Sequence, residues 1–314
     1  MKKLLYEIVH TTTYDYVDEV SVSHHLLKLT PRHYGKQNCL FHEVVVIPEA
    51  RTSSVRRDYF GNPTHFIGVE VPHQQLVISS CSRVAVGPSF IPEPLESPTW
   101  EAVRAGCRDD HSGETLEAHE FAYQSPLVPI ADEFADYAKT SFEPQRPILD
   151  AVTDLTRRIH EDLTFDNTAT NVTTPVAEVY HGRRGVCQDF AHFEIACLRS
   201  QGLPARYVSG YLETDPPPGQ PKLRGVDASH AWVSFYCPGL GWLDVDPTNN
   251  CFPSLRHITT GWGRDYDDVC PIRGVLVGGQ SQKLTVSVDV NALGPWDGHD
   301  TNPALSSART GPSE

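Results

Sequence analysis

The first ninety or so residues alternate short apolar and polar positions. LLYEIVHTTTYDYV, HHLLKLTP, FHEVVVIPEA, THFIGVEVP and QLVISSCSRVAV are β-branched or aromatic runs, parted by turn-rich stretches such as Phe60-Gly61-Asn62-Pro63. Strands at this spacing predict a β-sandwich or half-barrel. A proline-rich stretch, GPSFIPEPLESP, follows at 87–98 and reads as a semi-rigid linker. From about 99 to 160 the period lengthens: Ile148, Val152, Leu155 and Ile159 are spaced as one face of an amphipathic helix. A second helical stripe runs through Val186, Phe190, Phe193 and Cys197, ending at Gly202 and Pro204. Residues 205–290 return to strand patterns. The expected division is a β-rich unit at 1–90, a linker and helical segment at 91–150, an α+β unit with C-terminal strands at 151–292, and a disordered tail at 293–314.

Composition narrows the function. The chain has 314 residues, 39% hydrophobic and 21% charged, an ordinary globular balance. Its net charge of −14 argues against sequence-independent nucleic-acid binding, which needs clustered Lys and Arg, and against adhesion to anionic membranes. The N-terminal apolar run is broken by Glu7 and His10, too early for a secretory core, and no apolar stretch is long enough to span a bilayer. A cytoplasmic location is the expectation. The eight cysteines are scattered without a C-x-x-C pair, so zinc is not indicated, and a G-x-x-x-x-G-K-[ST] loop for nucleotides is missing.

One cysteine stands apart. Cys187 follows Gly185 at the start of the second helix, where free backbone N–H groups and the positive end of the dipole favour a thiolate and an oxyanion. Downstream, His230–Tyr236 and Trp242–Asp246 read as a hairpin around Pro238, Gly239 and Gly241. A turn centred on Pro238 sets His230 opposite Asp246, so that a carboxylate holds one imidazole nitrogen while the other meets a thiol. A two-residue slip brings Asp244 there instead. Asp189 reads as a helix cap; His181 and His192 are candidate proton shuttles, but His192 faces off the apolar stripe and reads as solvated. Trp232, Trp242 and Trp262 read as core or pocket wall.

GVCQDFAHF, LPARYVSGYL, DASHAWVSFY and GWLDVDPTNN resemble the core of the bacterial transglutaminase-like superfamily, and RRDYFGN resembles the β-rich region found ahead of it. GWGRDYDDVCPIRGV resembles the family's C-terminal block. The resemblance implies an α+β fold: an N-terminal β-sandwich followed by a transglutaminase-like, papain-like cysteine-enzyme domain. It implies Cys187 as nucleophile, His230 as general base and acid and Asp246 as orienter, with no cofactor and a protein or peptide amide as acyl donor. Animal relatives use calcium, but Asp265, Asp267 and Asp268 lack the D-x-[DN]-x-[DN]-G spacing of a calcium loop. Hydrolysis, amine transfer and a catalytically silent scaffold are the three readings this leaves, with a slight preference for hydrolysis.

Overall fold

The computed structural model describes residues 2–91, 97–110, 113–214, 225, 227 and 229–298. Its longest element is β1 (Lys3–Leu27), in which Tyr6, Ile8, His10 and Thr12 are buried at alternate positions. Period-two burial is what a strand covered on one face requires. The strand serves two sets of neighbours. Its first half lies between β5 (His73–Val86) and β13 (Gln282–Trp296), and its second half between β4 (Pro63–Val69) and β12 (Ile272–Gly278). β2 (Gln37–Ile47) extends the first set from β5, and β3 (Thr52–Arg57) extends the second from β4. Tyr16, Val20, Leu27, Ile67, Leu76 and Ile78 form a core contributed by both sets.

The strands at 272–296 therefore complete the N-terminal sheet, whereas the sequence pattern grouped them with the α+β unit. Alternation records that a strand has a buried face and carries no address for its neighbour. The expected tail at 293–314 begins inside β13, which continues to Trp296; residues 299–314 and linker residues 92–96 lie outside the described residues.

Between the two N-terminal blocks of strand sequence and the site come α1 (Trp100–Asp109), α2 (Gly113–His119), α3 (Asp132–Lys139) and α4 (Ile148–Asp162). The four α4 stripe residues are all fully buried. A two-residue parallel pairing of β6 (Thr164–Phe165) with β7 (Arg184–Gly185), with α5 (Val176–Gly182) between them, delivers the chain to α6 (Cys187–Ser200). α6 packs on a second antiparallel sheet, ordered β10 (Gly241–Val245), β9 (Ser229–Cys237), β8 (Ala205–Leu212), β11 (His257–Gly263). α7 (Tyr266–Val269) links β11 to β12. No described helix is long and apolar enough to cross a membrane.

The two sheets dock through side chains that imitate backbone. The amide of Gln37 receives the Thr259 N–H and donates to the Thr259 carbonyl, both at 2.8 Å. Asn62, of the FGN motif, does the same for Trp262, accepting its N–H at 3.0 Å and donating to its carbonyl at 2.8 Å. Gln37 and Asn62 thereby bond the outer edge of β11, where the Arg32 N–H also reaches the Thr259 carbonyl at 2.9 Å. Tyr6, Ile8, Val84, Val86, Tyr211 and Ile258 close the seam between the sheets.

Candidate active site

Cys187 is the first residue of α6, after Val186 in extended conformation. Its own N–H and that of Gln188 precede the first intrahelical bond. Asp189 caps this end, accepting the Val186 N–H at 2.8 Å and the Thr170 hydroxyl at 2.6 Å, as the sequence led us to expect. A Cβ on Gly185 would stand 2.6 Å from the Asp189 carboxylate, so the glycine before the cysteine makes room for the cap.

The hairpin turns one residue later than the sequence reading placed it. Cys237 pairs with Gly241 around a three-residue loop, Gly239 and Gly241 having positive φ, and Val233 faces Val245. His230 and Asp246 are consequently diagonal neighbours, and they meet because the chain folds back at Asp246, which bridges to Cys251. His230 donates from Nε2 to Asp246 Oδ2 at 2.7 Å. Asp244 faces Ser234 instead and forms an ion pair with Lys36 at 3.0 Å.

Asp246 is wholly buried and gathers five donors. Besides His230, the backbone N–H groups of Thr248 and Asn249 reach Oδ1 at 3.0 and 3.1 Å, and Asn249 Nδ2 and His257 Nε2 reach Oδ2 at 2.7 and 3.0 Å. Burial alone would raise this carboxyl. The bonds from His230 and His257, the charge of His230 and the Asn249 amide together outweigh it and hold the group well below the usual carboxylate range. The opposite balance acts on His230. Burial would lower it, but the bond to Asp246 first, and Cys187 next, push it up to about 10. Both influences favour the imidazolium, and Cys187 is near enough to be one of them.

His257 was absent from the sequence reading. It opens β11, eleven residues beyond Asp246, and nothing in HITTGWG announces that it shares a carboxylate with His230. His192, expected in solvent, is 3% exposed. Its Nε2 accepts the Tyr266 N–H at 3.1 Å, its ring lies 5.0 Å from Tyr207, and burial lowers it to about 4. The cause is that α6 is covered all round: Gln188, Asp189, Glu194 and Arg199 are buried as well. Glu194 is pushed up to about 8 by burial, partly offset by the Thr156 hydroxyl. His181 is exposed and pairs with Glu133 at 3.1 Å.

Two groups of residues bear on metals. Asp265, Asp267 and Asp268 diverge: Asp265 caps α7, Asp267 pairs with Arg273 and Asp268 with Arg264. His230, Asp246 and His257 place one donor atom each within 4.8 Å of one another. Both imidazole Nε2 atoms already address the same oxygen, so a cation there would displace two hydrogen bonds.

The family profile described as "Transglutaminase-like superfamily" matches residues 135–247, which include all three sequence-selected residues, and "Bacterial transglutaminase-like N-terminal region" matches residues 6–85. The chain belongs to the transglutaminase-like superfamily. An uncharacterized protein of Mycobacterium tuberculosis is 41% identical over 295 residues, covering 91% of this chain and 92% of its own. One from Mycobacterium leprae is 31% identical over 289 residues, covering 91% and 98%. The fold of this transglutaminase-like protein is shared with a crystal structure of a candidate cysteine protease from Cytophaga hutchinsonii, with a TM-score of 0.75, 21% identity and coverage of 93% and 92%.

Proposed function

We propose that this protein is a cysteine-dependent hydrolase acting at an amide or peptide bond, through Cys187, His230 and Asp246. The observation that carries the reading is a convergence of three groups: Cys187 opens α6, and the buried His230 bonds Asp246 at 2.7 Å, with both Asp246 and Cys187 acting to raise the imidazole. Such an arrangement supports a thiolate–imidazolium pair. The Cys187 sulfur attacks the acyl carbon, and the oxyanion that forms faces the free N–H groups at the start of α6. His230 gives its proton to the leaving amine as the C–N bond breaks, leaving a thioester. Water then attacks the thioester with His230 taking its proton, the acid departs, and the thiol is restored. Cys187 is partly exposed, and water reaches an open thioester without a dedicated site.

A second reading replaces water by an amine. It is favoured by one relative, the protein-glutamine gamma-glutamyltransferase of Pseudomonas aeruginosa, which is 39% identical over 77 residues, 24% of this chain and 11% of that protein.

Limiting iodoacetamide near pH 6, followed by peptide mapping, tests the nucleophile. Burial raises Cys39, Cys107 and Cys251 to about 11 and Cys237 to about 12, and Cys197 well above its ordinary value. Burial also raises Cys81; Cys187, at the start of α6 near His230, is expected to label before these and before Cys270, and His230→Ala to slow that labelling. Faster labelling of another cysteine sinks the assignment. Incubating glutamine-, asparagine- and D-residue-containing peptides with and without a primary amine then separates free acid from amine adduct as the product.

A further inference from the structure

Two buried arginines flank the start of the catalytic sheet, and their surroundings differ. Arg199 is 1% exposed, and its nitrogens donate to the carbonyls of Phe121, Ala205 and Arg264 and to the Ser125 hydroxyl. Arg206, in β8, is 8% exposed, yet among the described residues no hydrogen bond or ion pair reaches its guanidinium, and Nε is buried without a partner. Only its flat faces are used. Trp242 and Trp262 each stack on it at 4.0 Å, and Arg32 covers Trp262 at 3.4 Å. Stacking engages the π faces and leaves the in-plane N–H donors free.

Arg206 lines a cavity of about 370 Å³ between the two sheets, walled by Phe90, Ile91, Trp242, Phe252 and Trp262. None of Cys187, His230 and Asp246 lines it. The other charges at its wall, Lys36 and Asp244, neutralise each other as an ion pair. Of the two cations that line this cavity, Arg206 is the one without an ion pair, while Arg32 lies beyond Trp262 and lines a neighbouring cavity with Arg206.

We propose that this crevice binds a carboxylate-bearing ligand with an apolar or aromatic body, its carboxylate received by Arg206 between Trp242 and Trp262. A carboxylate matches the planar fork of a guanidinium and approaches in the plane that stacking leaves open. A single negative charge balances the one unpaired cation lining this cavity, whereas Asp244 would repel a second. The aromatic walls take the body of the ligand. Burial lowers Arg206 to about 9, with Asp244 only partly opposing, and a bound carboxylate would relieve that cost. A free small acid and the C-terminus of a peptide offer the same chemistry.

Titration calorimetry on the Cys187→Ser protein, in which no turnover contributes, tests this independently of the acyl-transfer reading. The probes are 3-phenylpropionate, acetyl-Ala-Phe and the neutral amide of each. Both acids are expected to bind at least about 10-fold more tightly than their amides, because the amide leaves a buried charge unpaired. Arg206→Gln should erase the preference, and Asp244→Asn, which leaves Lys36 unpaired beside the cavity, should strengthen acid binding severalfold. Tighter binding of acetyl-Ala-Phe assigns the site to peptide C-termini, and tighter or equal binding of 3-phenylpropionate to small acids. Absence of binding by both acids, equal binding of acids and amides, or a preference that survives in folded Arg206→Gln overturns the proposal. Should that variant fail to fold, the amide comparison and Asp244→Asn still decide it.

Discussion

In the N-terminal sheet, His10, His25 and His42 are held by burial near 4, while in the catalytic sheet His230, no more exposed than a core residue, is pushed up to about 10. Desolvation is the first cause at all four and acts downward at each. What differs is the company. His10 meets the hydroxyls of Tyr211 and Thr12 at 3.0 Å, and His42 meets those of Thr30 and Ser82. Hydroxyls support a neutral imidazole; only His230 among these four has a buried carboxylate bonded to it and a thiol near it. The proposed site is thus set apart by an anion placed where the dielectric is low, and the mere presence of buried histidine does not set it apart.

The sharpest way to break this comparison is to remove the thiol. Cys187→Ala is expected to reduce turnover of a validated peptide substrate by roughly 10⁴-fold or more, with little change in Tm, since a part-exposed thiol contributes modest packing. Full activity in this variant would end the triad reading. Asp246→Asn comes next. It removes the anion that separates His230 from the neutral histidines, and a loss in kcat of about 10²- to 10⁴-fold is expected. Asp244→Asn should change kcat by less than about 3-fold, because that carboxylate serves Lys36. A larger loss at Asp244 reverses the assignment.

The acid limb of stability sharpens the other side. His10, His25, His42 and His192 bind protons near 4 when folded and near 6.5 when unfolded. The unfolded chain takes protons first, so the stability they confer is intact above pH 6.5 and declines as the pH falls from 6.5 towards 4. The Asp246 carboxylate, depressed in the fold, adds a loss below its ordinary range. His230 behaves oppositely: its contribution is complete below pH 6.5 and disappears as the pH rises through about 10. Calorimetric Tm should therefore fall on both sides of neutrality, and His42→Gln should flatten the acid side alone. A flat acid side in the unmodified protein would refute the neutral assignment. Smallest of all is the expected effect of EDTA, namely none on activity or Tm. A loss restored by a divalent cation would reassign His230, Asp246 and His257 to a metal.

The cysteine, histidine and aspartate were legible because each carries a local signature: a glycine-led helix start, a strand after a small-residue turn, and a D-P-T corner. Parity protected the pairing of His230 with Asp246 from the misplaced turn, since a shift of the turn centre by one residue keeps even-numbered residues on one face. His257 was not legible because its role depends on β11 arriving beside β8, a contact between segments distant in the chain. His192 and Glu194 were misjudged or passed over because a stripe of apolar residues reports one buried face, and α6 has no exposed one. The apolar stripe of α4, packed on one side only, reported its burial correctly.

The pairing of β1 with β12 and β13 also fixes when this protein can exist. β1 runs alongside strands far downstream of it, with Ile8 opposite Val290 and His25 opposite Gly274. Synthesis is vectorial, so β1 must wait for β12 and β13 with the positions they take still open. Closing that loop is slow for a chain whose decisive contacts are so far apart in sequence. β11 leans on the same sheet through Gln37 and Asn62, and His257 at its head holds Asp246. A nascent chain therefore carries its thiol and imidazole long before the aspartate beside them is braced.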